Sequence, residues 1–531
     1  MKRILSIILA LGLCTAMNAQ SLERVYLATD NDVYLAGEII WCSAYCLDAD
    51  GNLGSENAVA YVEVVSTQGQ AATGKIALQG GRGAGCVILP TTIPTGNYRI
   101  FAYTAAGKNE NGYKVQDSGK TISIFNTFST DRVEGGVKIV QTPSSFGKRQ
   151  SLGSVTLSAT DALGEITVEL ENTGNSTAYL SLGVAPEDGI HSPETGGIAS
   201  FVRNLPKSKP SFAEYISERD GEVVYGHLYG KDAAETTTDI YALPFISIPN
   251  APAEIYPGIM SQDGTISFLT NNIFGDTDVV CEVMGLDKGK DSWFFLNSPF
   301  VNPKIEDIPA LELSAQYSQR LSKRTLDLQK GHKSDTLYEF LPKRENLLFD
   351  KTDFVTYHLD DYTRFNTVQD ILVEFVPQLR VRKGNNGQPE VQMSMKSHDG
   401  LYGAFESNVL LLMDGVPISN TEYLLEFDAM LLSDIDIYQW HYNLGPFSYN
   451  GIVNFRTTNN DLAALRFDDN VRILDYQGVS YPVKTDVWNP LLEVPAGEKL
   501  TVRLSKPADK YRITLEGICA DGSPVCISQT N

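Results

Sequence analysis

Beyond its first twenty residues, the sequence lacks any uninterrupted apolar run of about eighteen residues, the length that a membrane-spanning helix needs. The segment from Ile4 to Leu13 is apolar but shorter, and it lies between a basic N-terminus and the small residues of AMNAQ. This arrangement predicts an export signal over residues 1–19. Cys14 raises lipidation as an alternative, but Leu13 stands where a small residue is needed. We therefore expect the exported chain to be soluble or peripheral.

Basic residues are also scarce, since 43 Lys and Arg face 65 Asp and Glu, and the formal net charge is −22. Nucleic acids and anionic membrane surfaces are bound by clustered Lys and Arg, so this charge argues against both. Histidine occurs only six times, without the spacing of a zinc site: His191, His227, His332, His358, His398 and His441. We expect no metal, although distant residues that converge in space stay an open alternative.

One segment nearly matches a nucleotide-binding motif. GQAATGKI, Gly69 to Ile76, fits the first part of the phosphate-binding pattern, G-x-x-x-x-G-K. Ile76 stands where Ser or Thr would contact magnesium. The segment also leads into a β-rich run rather than into a helix whose N-terminus would hold phosphate. We predict a hairpin loop here and expect no cofactor in the chain.

Few cysteines remain after the signal: Cys42, Cys46, Cys86, Cys281, Cys519 and Cys526. Export permits disulfides. Cys42 and Cys46 would lie about 13 Å apart on one strand, beyond the roughly 7 Å reach of a bridge. Cys519 and Cys526 flank ADGSPV, and a four-residue turn, 521–524, would place them opposite each other. We predict a Cys519–Cys526 disulfide and leave the other four cysteines open.

The length of 531 residues suggests roughly three to five domains. Short runs rich in β-branched and aromatic residues, such as EIIWCSAYC and YRIFAYTA, predict a β-sandwich over 20–125. Similar runs predict a second sandwich over 126–220 and a third over 221–302. We expect a mainly β fold class of tandem sandwiches, with one α+β domain.

The periodicity changes after residue 302 and predicts a helical connector, 303–345. Its amphipathic helix, from Ile308 to Gln329, has apolar residues at helical spacing: Leu313, Tyr317, Leu321 and Leu328. Over 346–462 helices and strands alternate, with NVLLLMD predicting a central strand and EYLLEFDAMLLSD a helix. Residues 463–531 predict a β-tail, either as an edge-type sandwich or as strands added to an earlier domain.

Three of these units resemble known families. YLATDNDVYLAGEIIWCSAYCLD and IPTGNYRIFAYT resemble the opening and closing strands of a macroglobulin domain. SQDGTISFLTNNIFGDTDVVCEVMG resembles a carboxypeptidase-regulatory-like sandwich. VLLLMDGVPIS, followed by FSYNGIVNFRTTNND, resembles the plug of a TonB-dependent outer-membrane receptor. The positions that carry this plug-like motif are Asp414, Gly415, Gly451 and Thr457.

A receptor plug normally sits inside a β-barrel, but few residues follow Asn460 in this 531-residue chain. Eight membrane strands need roughly 100 residues. We therefore expect a plug-like domain that lacks a barrel. The whole chain resembles exported multidomain envelope proteins of Gram-negative bacteria that join macroglobulin-like sandwiches to such a domain.

This resemblance implies a non-enzymatic protein that binds another envelope or outer-membrane protein, because a plug without its barrel has free loops and sheet edges. Two alternatives stay open: a hydrolase with a site assembled from distant residues, and an accessory subunit whose plug enters a separate barrel. A broad apolar patch would favour binding, and a clustered His site would favour the hydrolase. We expect the periplasm or the outer-membrane periphery, with the cell surface as the alternative, and leave the oligomeric state open.

Overall fold

The structure is a computed structural model that describes residues 23–54, 56–109, 114–144, 151–193, 197–205, 215–249, 254–286, 289–330, 334–337, 354–384, 387–396, 402–444, 447–462 and 465–531. The predicted signal peptide, residues 1–19, lies outside these ranges. Strands make up 51% of the chain and helices 11%, which confirms the mainly β fold class.

The N-terminal part of the described chain is built almost entirely of strands. These are β1 (Arg24–Thr29), β2 (Val33–Leu35), β3 (Ile39–Leu47), β4 (Val59–Ser66), β5 (Gly69–Ala77), β6 (Arg82–Ile88), β7 (Gly96–Tyr103), β8 (Lys120–Phe125), β9 (Val137–Ile139), β10 (Val155–Ala162), β11 (Glu165–Asn172), β12 (Ala178–Pro186), β13 (Val223–Tyr229), β14 (Leu243–Ile248), β15 (Glu254–Met260), β16 (Thr265–Leu269), β17 (Thr277–Met284) and β18 (Trp293–Leu296). The helices of this part are α1 (Ile198–Arg203) and α2 (Ala233–Thr236).

The C-terminal part mixes helices and strands before it returns to strands alone. Its strands are β19 (Leu311–Leu313), β20 (Ser334–Leu337), β21 (Phe354–His358), β22 (Leu379–Lys383), β23 (Pro389–Lys396), β24 (Tyr402–Glu406), β25 (Leu410–Met413), β26 (Val416–Pro417), β27 (Leu432–Leu444), β28 (Phe447–Thr457), β29 (Arg472–Tyr476), β30 (Val483–Thr485), β31 (Trp488–Val494), β32 (Lys499–Ser505), β33 (Tyr511–Cys519) and β34 (Pro524–Thr530). Its helices are α3 (Ser318–Lys330), α4 (Val368–Glu374) and α5 (Thr421–Leu425).

The first sandwich consists of β1 to β8 in one sheet that folds over its own core, in the order β2-β8-β7-β1-β3-β6, with β4 paired to β5 and β7. Gly37 makes the turn between β2 and β3 at a φ of +85°, in the left-handed region that favours glycine. The segment that we expected as a hairpin loop, Gly69 to Ile76, is instead strand β5. Strand β5 pairs antiparallel with β4, with Val59 opposite Ala77 at one end and Ser66 opposite Gly69 at the other. The hairpin turn therefore lies between Ser66 and Gly69, before the predicted segment.

The second sandwich joins β10-β11-β32 to β31-β12-β33-β34, two sheets built from distant parts of the sequence. Ile166 pairs with Leu504, and Leu182 pairs with Leu515. All four side chains lie in one core. The predicted boundaries at 126–220 and 463–531 therefore divide a single sandwich, and strand addition is the arrangement that the tail adopts. The physical reason is that β11 buries one face and β12 buries both, and these faces need the tail strands to cover them.

The third sandwich has the strand order β18-β13-β16-β15-β14-β17-β29. Six of its strands come from the predicted unit 221–302, and the seventh, β29, comes from the tail. Val280 of β17 pairs with Ile473 of β29. Its core is formed by alternate residues of both layers, among them Ile246, Phe268 and Phe294.

The connector packs against the edge of the first sandwich, but its helix starts later than predicted. Helix α3 begins at Ser318, whereas the sequence pattern placed its start at Ile308. The reason is that β19 pairs in parallel with β9, which holds residues 311–313 extended. The predicted apolar residues still share one face, because they pack together against β2 and β8: Leu313, Tyr317, Leu321 and Leu328.

We call the α+β domain from β21 to β28, with α4 and α5, the plug-like domain after its sequence resemblance. It has a five-stranded sheet in the order β21-β27-β28-β25-β26 and a three-stranded sheet β22-β23-β24. Strand β25 lies between β28 and β26 and is buried on both faces, as NVLLLMD predicts. The second predicted helix is shorter than expected. It ends at Leu425, and Asp428 caps a separate 3₁₀ turn through Met430 N before β27 begins.

Candidate functional site

Three of the four plug-like motif residues, Asp414, Gly415 and Thr457, meet at the end of the five-stranded sheet, whereas Gly451 lies six residues before Thr457 on β28. The carboxylate of Asp414 accepts hydrogen bonds from Thr457 N at 2.7 Å, Thr457 Oγ1 at 2.6 Å and Leu462 N at 2.9 Å. Asp414 is 1% exposed and adopts a φ of +47°. It thus links the turn after β25 to the segment that follows β28. The arrangement is a closed structural clamp with no free carboxylate oxygen for a ligand.

The two motif glycines adopt backbone conformations that favour glycine, Gly415 beside the clamp and Gly451 farther along β28. Gly415 follows Asp414 at a φ of +84°, and its N–H donates to Asn454 Oδ1 at 3.0 Å. Gly451 has a φ of +91°, and a Cβ there would lie 2.7 Å from the carbonyl oxygen of Tyr438. Both positions therefore need glycine for the sheet to form.

A largely apolar joint connects the plug-like domain to the third sandwich. It contains three sandwich residues and several plug-like residues: Leu243, Phe245 and Ile255 with Leu410, Leu412, Leu444, Tyr449 and Ile452. One carboxyl is buried beside it. Glu282 of β17 is 5% exposed and accepts a hydrogen bond from the Ser419 hydroxyl. Burial, and secondarily the charge of Asp468, raises the pKa of Glu282 to about 8.

The predicted disulfide between Cys519 and Cys526 is absent, and none of the six cysteines in the described ranges forms a disulfide. The turn is tighter than predicted, because Gly522 N donates to Cys519 O at 2.9 Å. Cys526 consequently pairs with Glu516, three residues before Cys519. An odd offset places the two thiols on opposite faces of the sheet. Cys519 packs into the second sandwich's core, and Cys526 packs against the first sandwich.

A buried ion pair, which the sequence pattern did not reveal, fixes the first sandwich to the third. Lys75 Nζ lies 2.8 Å from Glu222 Oε1, and both side chains are 2% exposed. The Tyr476 hydroxyl donates to Glu222 Oε2 at 2.7 Å. Nearby, burial raises the pKa of Glu218 to about 7, and the Tyr61 hydroxyl donates to it at 2.7 Å. The Lys75, Glu222 and Tyr476 side chains satisfy one another and act as a structural lock, whereas Glu218 Oε2 is buried without a hydrogen-bond partner among the described residues.

One outer face of the third sandwich presents aromatic and aliphatic side chains to solvent. On β13 the outward positions alternate with core positions, and β18 places Trp293 opposite Tyr229 and Phe295 opposite His227. Neighbouring strands β15 and β16 extend this face. We call it the aromatic surface, and it comprises Tyr225, His227, Tyr229, Ile259, Leu269, Trp293 and Phe295.

The rings of the aromatic surface pack against one another although they are accessible. Tyr229 and Trp293 stack with ring centroids 5.2 Å apart, and Phe295 meets Trp293 edge to face at 5.2 Å. The guanidinium of Arg472 lies 4.5 Å from the Trp293 ring centroid. Tyr229 is 43% exposed, and Ile259 is 75% exposed. A sequence signal for this surface exists, because VVYGHLY and WFFL are apolar or aromatic on both faces of their strands.

The histidines within the described ranges do not cluster. His227 belongs to the aromatic surface, His191 lies 3.0 Å from Glu187, and His358 lies 2.6 Å from Asp434 on the plug-like sheet. His332 and His398 fall outside the described residues. Within the described ranges, no group of three or more His, Cys, Asp or Glu side chains is arranged to hold a metal ion.

No family model and no curated protein matches the chain. Among solved structures, similar ones include trypsin-activated alpha-2-macroglobulin from Escherichia coli, at 10% identity over 96% of this chain and 41% of that one, with a TM-score of 0.24. Salmonella alpha-2-macroglobulin reacted with methylamine has 9% identity over 97% of this chain and 24% of that one, with a TM-score of 0.16. FdeC, an Escherichia coli adhesin, has 13% identity over 51% of this chain and 95% of that one, with a TM-score of 0.15.

This chain spans only a minor share of the macroglobulins that it matches, between 22% and 43% of their length. TM-scores of 0.15 to 0.24 do not establish a common arrangement of the whole chain. These similarities therefore support no inference about function, and the surfaces of the described residues have to supply it.

Proposed function

We propose that this chain is a non-enzymatic binding protein of the cell envelope, and that its aromatic surface docks another envelope or outer-membrane protein. The aromatic surface is the observation that carries the proposal. Single exposed apolar residues are common, whereas packed rings on two neighbouring strands, with exposed Ile259 and Leu269 on the next two strands of the same face, are typical of an interaction site. Its rings already pack together, so docking would cost little side-chain entropy.

The covered face of the same sandwich indicates the chemistry of the partner. There, the aliphatic Leu410 and Leu412 of the plug-like sheet cover Phe245 of the sandwich. A partner that presents a similar aliphatic face would suit the aromatic surface. A second copy of this chain is disfavoured, because two molecules with a net charge of −22 repel each other.

The envelope location rests on the sequence. The signal-like segment 1–19 and the resemblances to a macroglobulin domain and a TonB-dependent receptor plug support an exported protein in the periplasm or at the outer-membrane periphery. In the part of the chain that the structure describes, no helix combines the length and the apolar character needed to span a membrane.

A site-specific photo-crosslinker tests the docking surface in intact cells. Placed at Ile259, it should give a discrete adduct with one protein that mass spectrometry identifies. The control position is Leu163, which is fully exposed on a hairpin of the second sandwich. Equal crosslinking at both positions, or no adduct at Ile259, would contradict the proposal.

Binding of the identified protein is then measured with purified components. The double variant Tyr229→Ser, Phe295→Ser should weaken the affinity roughly 100-fold or more, because it removes two central aromatic contacts. Leu163→Ser, a matched loss of exposed apolar area, should bind like the unaltered protein. Unchanged affinity in the double variant would show that the aromatic surface is not the docking site.

A further inference from the structure

A cleft of about 420 Å³ lies between helix α3 and the second sandwich. Its walls are residues 186–188 at the end of β12, residues 507–510 between β32 and β33, and one face of α3. The spacing of four and three residues places Arg320, Lys323, Arg324 and Asp327 on that face. The opposite face of α3 is apolar and packs on the first sandwich. The volume falls within the range of small-ligand sites.

One acidic group in the cleft is already paired with a cation. Asp188 accepts two hydrogen bonds from Arg324, from Nε at 2.7 Å and from Nη2 at 3.0 Å. Arg324 also donates to the carbonyl oxygen of Val33 at 3.1 Å. Glu187 lies 3.0 Å from His191 Nε2. The Arg324 contacts fix one wall of the cleft and offset the charge of Asp188.

Three cations of the cleft are uncommitted. Arg320, Lys323 and Lys510 make no side-chain hydrogen bond or ion pair with the described residues, although the chain carries an excess of carboxylates. Arg320 lies over the turn that contains Gly189, where φ is +74° and a Cβ would approach Nη1 to 3.2 Å. The glycine thus lets the guanidinium lie close against the cleft wall.

We propose that this cleft binds a small ligand bearing a carboxylate or phosphate group, held by Arg320, Lys323 and Lys510. The planar guanidinium can donate two parallel hydrogen bonds to an oxyanion, and the two ammonium groups add point charges. Asp327 and Asp509 also line the cleft. Their charge favours a ligand with one or two negative charges over a polyanion. This site is separate from the aromatic surface and does not depend on the function proposed for it.

Titration with inorganic phosphate and with succinate, at constant ionic strength, tests the site on the full exported chain. Calorimetry and the rise in melting temperature should both show saturable binding of at least one anion. The variant Arg320→Gln, Lys323→Gln should bind at least about tenfold more weakly, and Lys510→Gln should also lose affinity. Lys499→Gln is the matched control, because Lys499 is exposed and pairs with Glu171 outside the cleft.

The two anions distinguish the ligand class. Binding of phosphate alone would assign a phosphate ligand, and binding of succinate alone would assign a carboxylate ligand. Absence of saturation by either anion up to roughly 10 mM would overturn the proposal. Equal binding by the cleft variants and the Lys499→Gln control would overturn it as well, since binding would then not involve these cations.

Discussion

Asp414 shows how a single residue organises the plug-like domain. Its left-handed backbone starts the turn after β25, and its carboxylate satisfies two backbone N–H groups and one hydroxyl near the end of β28. A left-handed backbone is strained for most residues other than glycine, asparagine and aspartate. Aspartate therefore supplies both the conformation and the acceptor at this position.

We predict that Asp414→Ala lowers the unfolding free energy of the plug-like domain by about 2–4 kcal/mol, because buried donors lose a charged acceptor and the backbone becomes strained. Asp414→Asn should cost less, since asparagine tolerates the backbone and retains one acceptor. Hydrogen exchange in β28, followed by mass spectrometry, measures the change. Asp360→Asn is the control, because Asp360 is 95% exposed. Equal exchange in both variants would refute the clamp.

At the scale of elements, the tail strands are the second half of the second sandwich. Strand β11 alternates exposed and buried residues, so one of its faces must be covered. Strand β32 extends the sheet of β11, with Leu504 paired to Ile166, and the facing sheet formed by β12 with β31, β33 and β34 provides the cover. Two segments separated by the plug-like domain therefore form one cooperative unit.

We predict that Leu504→Ala destabilises the second sandwich by about 2–4 kcal/mol through the loss of buried contacts. The effect should appear as faster hydrogen exchange in β10, β11 and β12, although these strands are distant in sequence. Leu326→Ala should leave this exchange unchanged, because Leu326 is 59% exposed on α3. Faster exchange confined to β31–β34 would contradict a shared core.

For the whole molecule, two of the buried polar contacts between units differ in their charges. The Lys75–Glu222 pair joins the first and third sandwiches with opposite charges. The contact beside the plug-like joint differs, because Glu282 faces Ser419 and the carboxylate of Asp468. Burial raises the pKa of Glu282 from 4.5 to about 8, so this joint depends on pH.

We predict that the unfolding free energy decreases as pH rises from about 4.5 to about 8, because folded Glu282 keeps its proton while the unfolded chain loses it. The slope from this group can reach about 1.4 kcal/mol per pH unit. Glu282→Gln should lack this contribution and should be more stable than the unaltered protein at pH 9. Urea unfolding at pH 5, 7 and 9 measures the difference.

The comparison between the two pH curves isolates Glu282. Asp30 and Glu218 also have pKa values raised to about 7 by burial, but both are present in each protein. Glu426→Gln, a substitution of an exposed residue on the plug-like domain, should leave the pH dependence unchanged. Parallel curves for Glu282→Gln and the unaltered protein would show that the joint does not sense pH.

Local patterns by themselves predicted the elements of this protein. Alternating apolar residues identified the strands, NVLLLMD identified a central strand, and the spacing from Leu313 to Leu328 identified the apolar face of the connector. The motif positions Asp414 and Thr457 were found on a resemblance, and the structure brings them into contact. These features depend on neighbouring residues, because side-chain periodicity reflects which face of an element is buried.

Only the tertiary structure decided which strands share a sheet and which side chains meet. From the sequence, the tail could also have formed a unit of its own. Its alternating apolar and polar residues predict that one face of each strand is buried, but they do not identify the sheet that covers this face. The turn after Cys519 pairs Cys526 of β34 with Glu516 of β33 instead of with Cys519. This shift in register places the two thiols on opposite faces of the sheet. The aromatic surface and the cleft also depend on packing. The covered and open faces of the third sandwich have similar apolar patterns, and only the position of the plug-like domain distinguishes them.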